Sequence, residues 1–290
     1  MQSSQNAAKI TRILALDVGG TAIKGAIFEN GVLIRRLEQE PSCSAGSLAE
    51  ILGAFQHLID AAGKVDGIGI AMPGPFDMRN GRSAMTEKFG ALNGLCLPDL
   101  LRRKDIRFIQ DATAFLCGEM LRGKAGKFRR VGAITLGTGI GSVAAIDGKP
   151  LLNEELRPVA QHALWKRPFR NGVVEDYIST KGILARYPEA GSVKEIGALA
   201  DAGDKRAIEV WKGVGEDLAE VLSVWIGDLS LEYVVVGGQI ARSFRFFAEP
   251  LHGLPVETGD LSGDSPLYAA NSLFTKKVIS KLFYPQIGTD

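Results

Sequence analysis

Ile13-Leu14-Ala15-Leu16-Asp17-Val18-Gly19-Gly20-Thr21 opens as a short apolar run and closes on a glycine turn. Ala22 to Phe28 reads as the strand coming back, and Asn30-Gly31 as a tight hairpin turn before Val32 to Ile34. More than a hundred residues later the plan returns. Val131 to Leu136 is an apolar strand, Gly137-Thr138-Gly139-Ile140-Gly141 a glycine turn, Ser142 to Ile146 a strand, and Asp147-Gly148 a second hairpin signal. Two copies of one module argue for a duplicated domain, each half opening with antiparallel strands around a glycine loop.

Helices and further strands fit between and after these hairpins. Leu48, Ile51, Leu52, Phe55, Leu58 and Ile59 recur at helical spacing. Val65 to Ala71 reads as a buried strand closed by Met72-Pro73-Gly74-Pro75, and Ile106 to Gln110 as another, followed by a helix over Ala112 to Leu121. Trp211, Val214, Leu218, Val221, Leu222 and Trp225 mark a long helix leading into Tyr233-Val234-Val235-Val236, an apolar strand expected to be buried on both faces. Strands alternating with helices predict an α/β architecture in two lobes around a central cleft. The N-terminal lobe is expected over 1–109, completed by a C-terminal helix over 271–290, and the C-terminal lobe over 110–270.

The chain has 290 residues with 46% hydrophobic content and a formal net charge of +1, which allows a substantial core and gives no electrostatic reason to expect nucleic acid or membrane as partner. The polar start lacks the apolar run of a signal peptide, and no stretch approaches the ~20 residues of a membrane helix. Cys43, Cys96 and Cys117 form no metal-ligand pair and read as free buried thiols in a cytoplasm.

The glycine turns carry the chemistry. In Asp17-Val18-Gly19-Gly20-Thr21-Ala22-Ile23-Lys24, missing Cβ atoms let backbone N–H groups approach phosphate oxygens, Thr21 adds a hydroxyl donor, and Asp17 is placed to hold Mg²⁺ through its water shell. Each turn alone reads equally as a plain hairpin. Two of them at equivalent points of a repeat, expected to face each other across the cleft, suit a polyphosphate held from both sides. Gly237-Gly238 follows the buried strand at Val236, and strand ends of open α/β sheets are where ligands bind. Asp111 stands where a strand gives way to a helix. It reads as an N-cap, as a general base for a sugar hydroxyl, or as both.

These motifs, in this order from Ile13 to about Leu273, resemble the ROK family (repressors, open reading frames and sugar kinases) of the actin-like, ribonuclease H-like superfamily. Asp17-Val18-Gly19-Gly20-Thr21 resembles its first phosphate motif and Pro73-Gly74-Pro75 its sugar-side loop. Asp111-Ala112 with Glu119 resembles its catalytic segment, Leu136 to Gly141 its second phosphate motif, and Val235-Val236-Gly237-Gly238 its adenosine motif. The resemblance implies ATP and Mg²⁺ as cofactors and a hexose or hexose-like sugar as substrate. It implies nucleotide contacts at Asp17, Gly19, Gly20, Thr21, Lys24, Gly137, Thr138, Gly139, Gly237 and Gly238. Asp111 is the implied base, and sugar contacts are implied at Gly74, Asn93, Gln110, Asp111, Glu155 and Glu175. A homodimer is compatible with it.

Three departures matter. Gln110 replaces the family's asparagine before the catalytic aspartate. In Glu155-Leu156-Arg157-Pro158, Pro158 replaces the family histidine, and His162 lies a turn further on. Lys166-Arg167-Pro168-Phe169-Arg170 has no cysteine where family members carry a zinc loop, so no structural zinc is expected. Cysteine-free members include polyphosphate-dependent glucokinases, which keeps polyphosphate open as donor. A non-catalytic sugar-binding member of the fold is the other alternative. The repressor class is set aside because the short polar segment before the first strand cannot hold a helix-turn-helix.

Overall fold

The computed structural model describes residues 11–261, 263–275 and 283. Its strands, in chain order, are β1 (Arg12–Val18), β2 (Ala22–Glu29), β3 (Val32–Arg36), β4 (Glu40–Pro41), β5 (Gly67–Met72), β6 (Phe76–Asp77), β7 (Arg82–Ser83), β8 (Ile106–Gln110), β9 (Arg130–Leu136), β10 (Ile140–Ile146), β11 (Lys149–Pro150), β12 (Pro168–Phe169), β13 (Gly172–Val173), β14 (Tyr233–Gly237) and β15 (Val256–Thr258). The helices are α1 (Leu48–Ala62), α2 (Leu97–Leu100), α3 (Asp111–Arg122), α4 (Val174–Ile178), α5 (Thr180–Arg186), α6 (Val193–Asp201), α7 (Lys205–Leu229), α8 (Phe244–Phe247) and α9 (Ser265–Ser272).

The chain divides into two compact units, one reaching Ile109 and resuming at Ala270, the other Gln110–Ala269. Their sheets repeat one topology: β3-β2-β1-β5-β8 in the first unit and β11-β10-β9-β14-β15 in the second. In each, an antiparallel hairpin is joined on its inner side by a parallel strand, β5 beside β1 and β14 beside β9. The duplication read from the glycine hairpins is therefore a duplication of the α/β sheet. Both hairpin signals adopt the same turn: Asn30 and Gly31 have φ of 49° and 81°, Asp147 and Gly148 of 50° and 77°. Positive φ at both central residues matches the twist of the flanking strands, which is why Asn-Gly and Asp-Gly occur there.

In the first unit, α1 begins at a reciprocal cap. Ser47 Oγ accepts the N–H of Glu50, and Glu50 Oε2 accepts the N–H of Ser47. Ile51, Phe55, Leu58 and Ile59 then form its buried face. The chain returns to this unit through the end of α9, where Arg107 Nη1 donates to the Leu273 carbonyl at 2.5 Å and its guanidinium lies 4.3 Å from the Phe274 ring. Of the helix expected over 271–290, Asn271 and Ser272 end α9, Leu273 to Thr275 turn out of the helix, and the remainder, save Phe283, lies outside the described residues. In the second unit, α7 runs 25 residues and buries Val210, Trp211, Val214, Leu218, Val221, Leu222 and Trp225. β14 follows, with Tyr233 to Val236 buried as expected.

Among the described residues no helix is long and apolar enough to cross a membrane. All three cysteines are free thiols, but the expectation that all are buried holds only for Cys117; Cys43 and Cys96, on loops and turns, are half-buried. Burial in α3 pushes the Cys117 thiol up to about 12, so it is a neutral packing group.

Candidate active site

In the first unit the turn between β1 and β2 is held from one side. Ser44 Oγ donates to the Gly20 carbonyl at 2.6 Å, and the Ser42 N–H donates to the Thr21 carbonyl at 3.0 Å. Gly19 closes the turn by donating to the Ala22 carbonyl at 3.0 Å. Asp17 and Lys24 are cross-strand partners in the β1–β2 register, and Lys24 Nζ lies 3.7 Å from Asp17 Oδ2. The exposed Lys88 brings Cε and Nζ to 3.6 Å from the point a Cβ on Gly20 would occupy. Gly74 sits in the loop after β5. Asn93 is exposed beyond the short turn Gly90–Leu92 and is bridged through its backbone to Ser83.

In the second unit several expected site residues come together. Gly237 and Gly238 end β14 against the end of β9: a Cβ on Gly238, whose φ is 91°, would lie 2.2 Å from the Leu136 carbonyl oxygen. Leu136 is the residue before the second glycine turn, so this pair and that turn are neighbours. A Cβ on Gly141 would fall 2.8 Å from the Ala112 Cβ, which sets the start of α3 beside the same hairpin. Glu175, near the start of α4, accepts the N–H of Ile140 through Oε2 at 2.8 Å. That oxygen would lie 2.4 Å from a Cβ on Gly139, so a side chain there would push the carboxylate off its bond to Ile140.

The start of α3 corrects the N-cap reading of Asp111. The cap is Gln110, whose Oε1 accepts the Thr113 N–H at 2.9 Å and the Thr113 hydroxyl at 3.0 Å. Asp111 is the first helical residue. Its Oδ1 accepts the Ala112 N–H at 2.7 Å and the side-chain amide of Gln110. A glutamine here therefore does two jobs, satisfying the helix end with its oxygen and orienting the aspartate with its nitrogen. Glu119, further along α3, is buried and accepts the Ser265 hydroxyl at 2.5 Å and the Asp260 N–H at 3.2 Å, so it ties the helix to the segment after β15.

Glu155 lies in an exposed turn after β11 and is ion-paired to Arg157, two residues on. Leu152 and Pro158 bridge the two sides of that turn. His162 offers its carbonyl to Trp225 Nε1 at 2.9 Å, and its ring meets the Gln161 amide. Where the family loop would carry cysteines, β12 and β13 form a short hairpin. Its Arg170 reaches the buried Asp217 of α7, together with Arg186. Among the described residues no group of three or more His, Cys, Asp or Glu is gathered as a metal site.

Sequence reasoning missed Lys88, Ser44, Thr180 and Asp217. Asp217 carried a signal, a carboxylate set in the apolar stripe of Val214, Leu218 and Val221. The other three carry none, because only the folded chain brings them to the glycine turns.

The fold is shared with a ROK family glucokinase from Streptomyces griseus solved in complex with glucose and AMPPNP. That structure superposes with a TM-score of 0.73 at 19% identity, over 91% of this chain and 99% of the other. The chain belongs to the ROK family, whose model matches residues 13–254. It is 30% identical over 276 residues to a glucokinase of Aeropyrum pernix, covering 83% of this chain and 86% of that one. It is 25% identical over 275 residues to an N-acetyl-D-glucosamine kinase of Citrobacter koseri, covering 83% and 89%.

Proposed function

We infer that the chain is a sugar kinase that transfers the terminal phosphoryl group of ATP to a hydroxyl of a hexose or hexose-like sugar, with Asp111 as general base. The family and its glucokinase and N-acetylglucosamine kinase relatives support sugar phosphorylation. The observation that carries the role of Asp111 is its local geometry. Gln110 caps α3, so Asp111 is relieved of that duty and held at the helix start beside the second glycine hairpin. A phosphoryl transition state with little bond order asks mainly for positioning, and a carboxylate fixed by a neighbouring amide supplies it.

In this reading the amides of Gly19, Gly20, Thr21 and of Gly137, Thr138, Gly139 contact donor phosphates, and Gly237-Gly238 lies by the nucleoside. The residues fit such a donor. The carbonyls of Gly20 and Thr21 are drawn off by Ser44 and Ser42, and Gly137 has open space where a Cβ would be. Asp17, a hard oxygen donor at a strand end, would hold Mg²⁺ through water, and the ion would neutralise charge developing on the transferred group. Lys24 beside it adds a fixed positive charge. Glu175, whose second oxygen is not the one bound to Ile140, and Glu155 would accept sugar hydroxyls.

One observation favours a second reading, a sugar-binding protein without turnover: Arg157 occupies the Glu155 carboxylate, and Pro158 brings no side-chain donor. A coupled assay over a broad panel of hexoses and N-acetylhexosamines, with Mg-ATP and with polyphosphate as donors, separates the readings. Turnover of at least one sugar is expected. Calorimetric sugar binding with no turnover from either donor would establish the second reading instead.

A further inference from the structure

The second glycine turn is braced from outside its own hairpin. Thr180, the first residue of α5, donates both its backbone N–H and its hydroxyl to the carbonyl of Gly137, each at 2.9 Å. On the other limb Glu175 accepts the N–H of Ile140 at 2.8 Å. Inside the turn the Gly137 N–H donates to the Gly139 carbonyl at 3.0 Å. The peptide between Gly137 and Thr138 is trans and planar, so its N–H runs opposite to its C=O. Because the C=O is drawn toward Thr180 by two donors, the Thr138 N–H is turned away from α5. Thr138 is exposed, and its N–H has no partner among the described residues.

The corner carrying the brace is itself fixed. A Cβ on Gly182 would lie 2.4 Å from the Asp176 carbonyl oxygen, so α4 and α5 meet at close backbone range. Arg186, at the end of α5, donates to the Tyr177 carbonyl at 3.1 Å and pairs with Asp217, whose side chain is 2% exposed. A glycine peptide left to itself samples many orientations. This one is set by a threonine 43 residues away, on a corner anchored to α7.

We propose that Thr180 is a positioning residue for the phosphoryl donor: its double hydrogen bond to Gly137 aims the Thr138 N–H to donate a hydrogen bond to a donor phosphate. This rests on the reading of the second glycine turn as a donor-phosphate contact. Thr180 acts through the Gly137–Thr138 peptide on the phosphate chain alone, so it sets affinity for any polyphosphate and leaves the nucleoside contact unchanged.

The test uses the whole protein, three probes and calorimetry: Mg-AMPPNP, inorganic tripolyphosphate with Mg²⁺, and adenosine. Thr180→Val keeps the shape and the backbone bond but loses the hydroxyl. It is expected to weaken AMPPNP and tripolyphosphate by the same factor, roughly 3- to 10-fold, the worth of one hydrogen bond. Adenosine affinity is expected to hold, and Thr180→Ser to restore wild-type binding of all three. Thr180→Ala, which has no branched carbon to accommodate, repeats the measurement should the valine variant fold poorly. Wild-type AMPPNP affinity in both hydroxyl-free variants would overturn the proposal, as would an equal loss of adenosine binding or failure of serine to rescue. A wild-type protein that binds neither AMPPNP nor tripolyphosphate would overturn the donor-site reading itself, and the proposal with it, without recourse to any variant.

Discussion

Removing the carboxylate of Asp217 is expected to destabilise the second unit by about 2–3 kcal/mol. The side chain is 2% exposed on α7 and pairs with two guanidinium groups, those of Arg170 and Arg186. Deleting one partner of a buried ion pair costs about 3–5 kcal/mol when the stranded charge stays buried. Here the stranded charges are arginines whose side chains are 49% and 23% exposed, so both regain part of their hydration and the cost falls below that range. Arg186 is the less exposed and also holds the Tyr177 carbonyl, so Arg186→Ala should cost more than Arg170→Ala, and Asp217→Ala more than either. Urea unfolding followed by tryptophan fluorescence reads this directly, because the three tryptophans, Trp165, Trp211 and Trp225, all lie in the second unit. For a unit of this size the thermal midpoint of Asp217→Ala should fall by roughly 4–12 °C. A loss below about 0.5 kcal/mol, the scale of an exposed pair, or an Arg170→Ala more damaging than Arg186→Ala, would refute the reasoning.

Gly238→Ala should cost on the order of 2–4 kcal/mol in the same unfolding assay, since alanine meets both a left-handed backbone and the Leu136 carbonyl oxygen; a neutral substitution would show that β9 and β14 give way easily there. In native protein, thiol-reactive dye should label Cys43 and Cys96 and spare Cys117 until the chain unfolds. Rapid labelling of all three thiols would contradict its burial. The Arg103 hydrogen bond to Asp105 holds that carboxyl below its ordinary value of 3.8, against partial burial that acts to raise it. Its stabilising contribution is therefore present above the ordinary carboxylate range and is lost as pH falls through the lowered folded value. The stability gap between wild type and Arg103→Gln should be full at neutral pH and close only in strong acid. A gap unchanged across an acid titration would mean that the pair contributes packing alone.

Much of the fold was legible because its signals are local. The apolar runs before Gly19 and Gly137, with Asn30-Gly31 and Asp147-Gly148 behind them, specify two hairpins through spacing and turn chemistry that act over a few residues. α1 and α7 were legible through their apolar stripes. At the site, glycine could be seen but not the reason for it: Gly139 makes room for Glu175, and Gly238 for the Leu136 carbonyl, contacts that appear only when distant segments meet. The N-cap reading, one of those open for Asp111, falls to Gln110: aspartate is the commoner capping residue, and a glutamine reaching the Thr113 N–H is a matter of rotamer rather than pattern. The brace from Thr180 and the arginine pair on Asp217 span 43 and 31 to 47 residues, beyond any periodicity a sequence displays.

Sugar phosphorylation by Asp111→Asn, measured beside the wild type at saturating donor and acceptor, bears most directly on the whole account. The substitution preserves size and can keep the bond from Ala112 while removing the base. A fall in kcat of about 10²–10⁴-fold, with both KM values little changed, is predicted. Turnover at the wild-type rate would contradict the assignment of Asp111 and, with it, the reading of how this site moves a phosphoryl group.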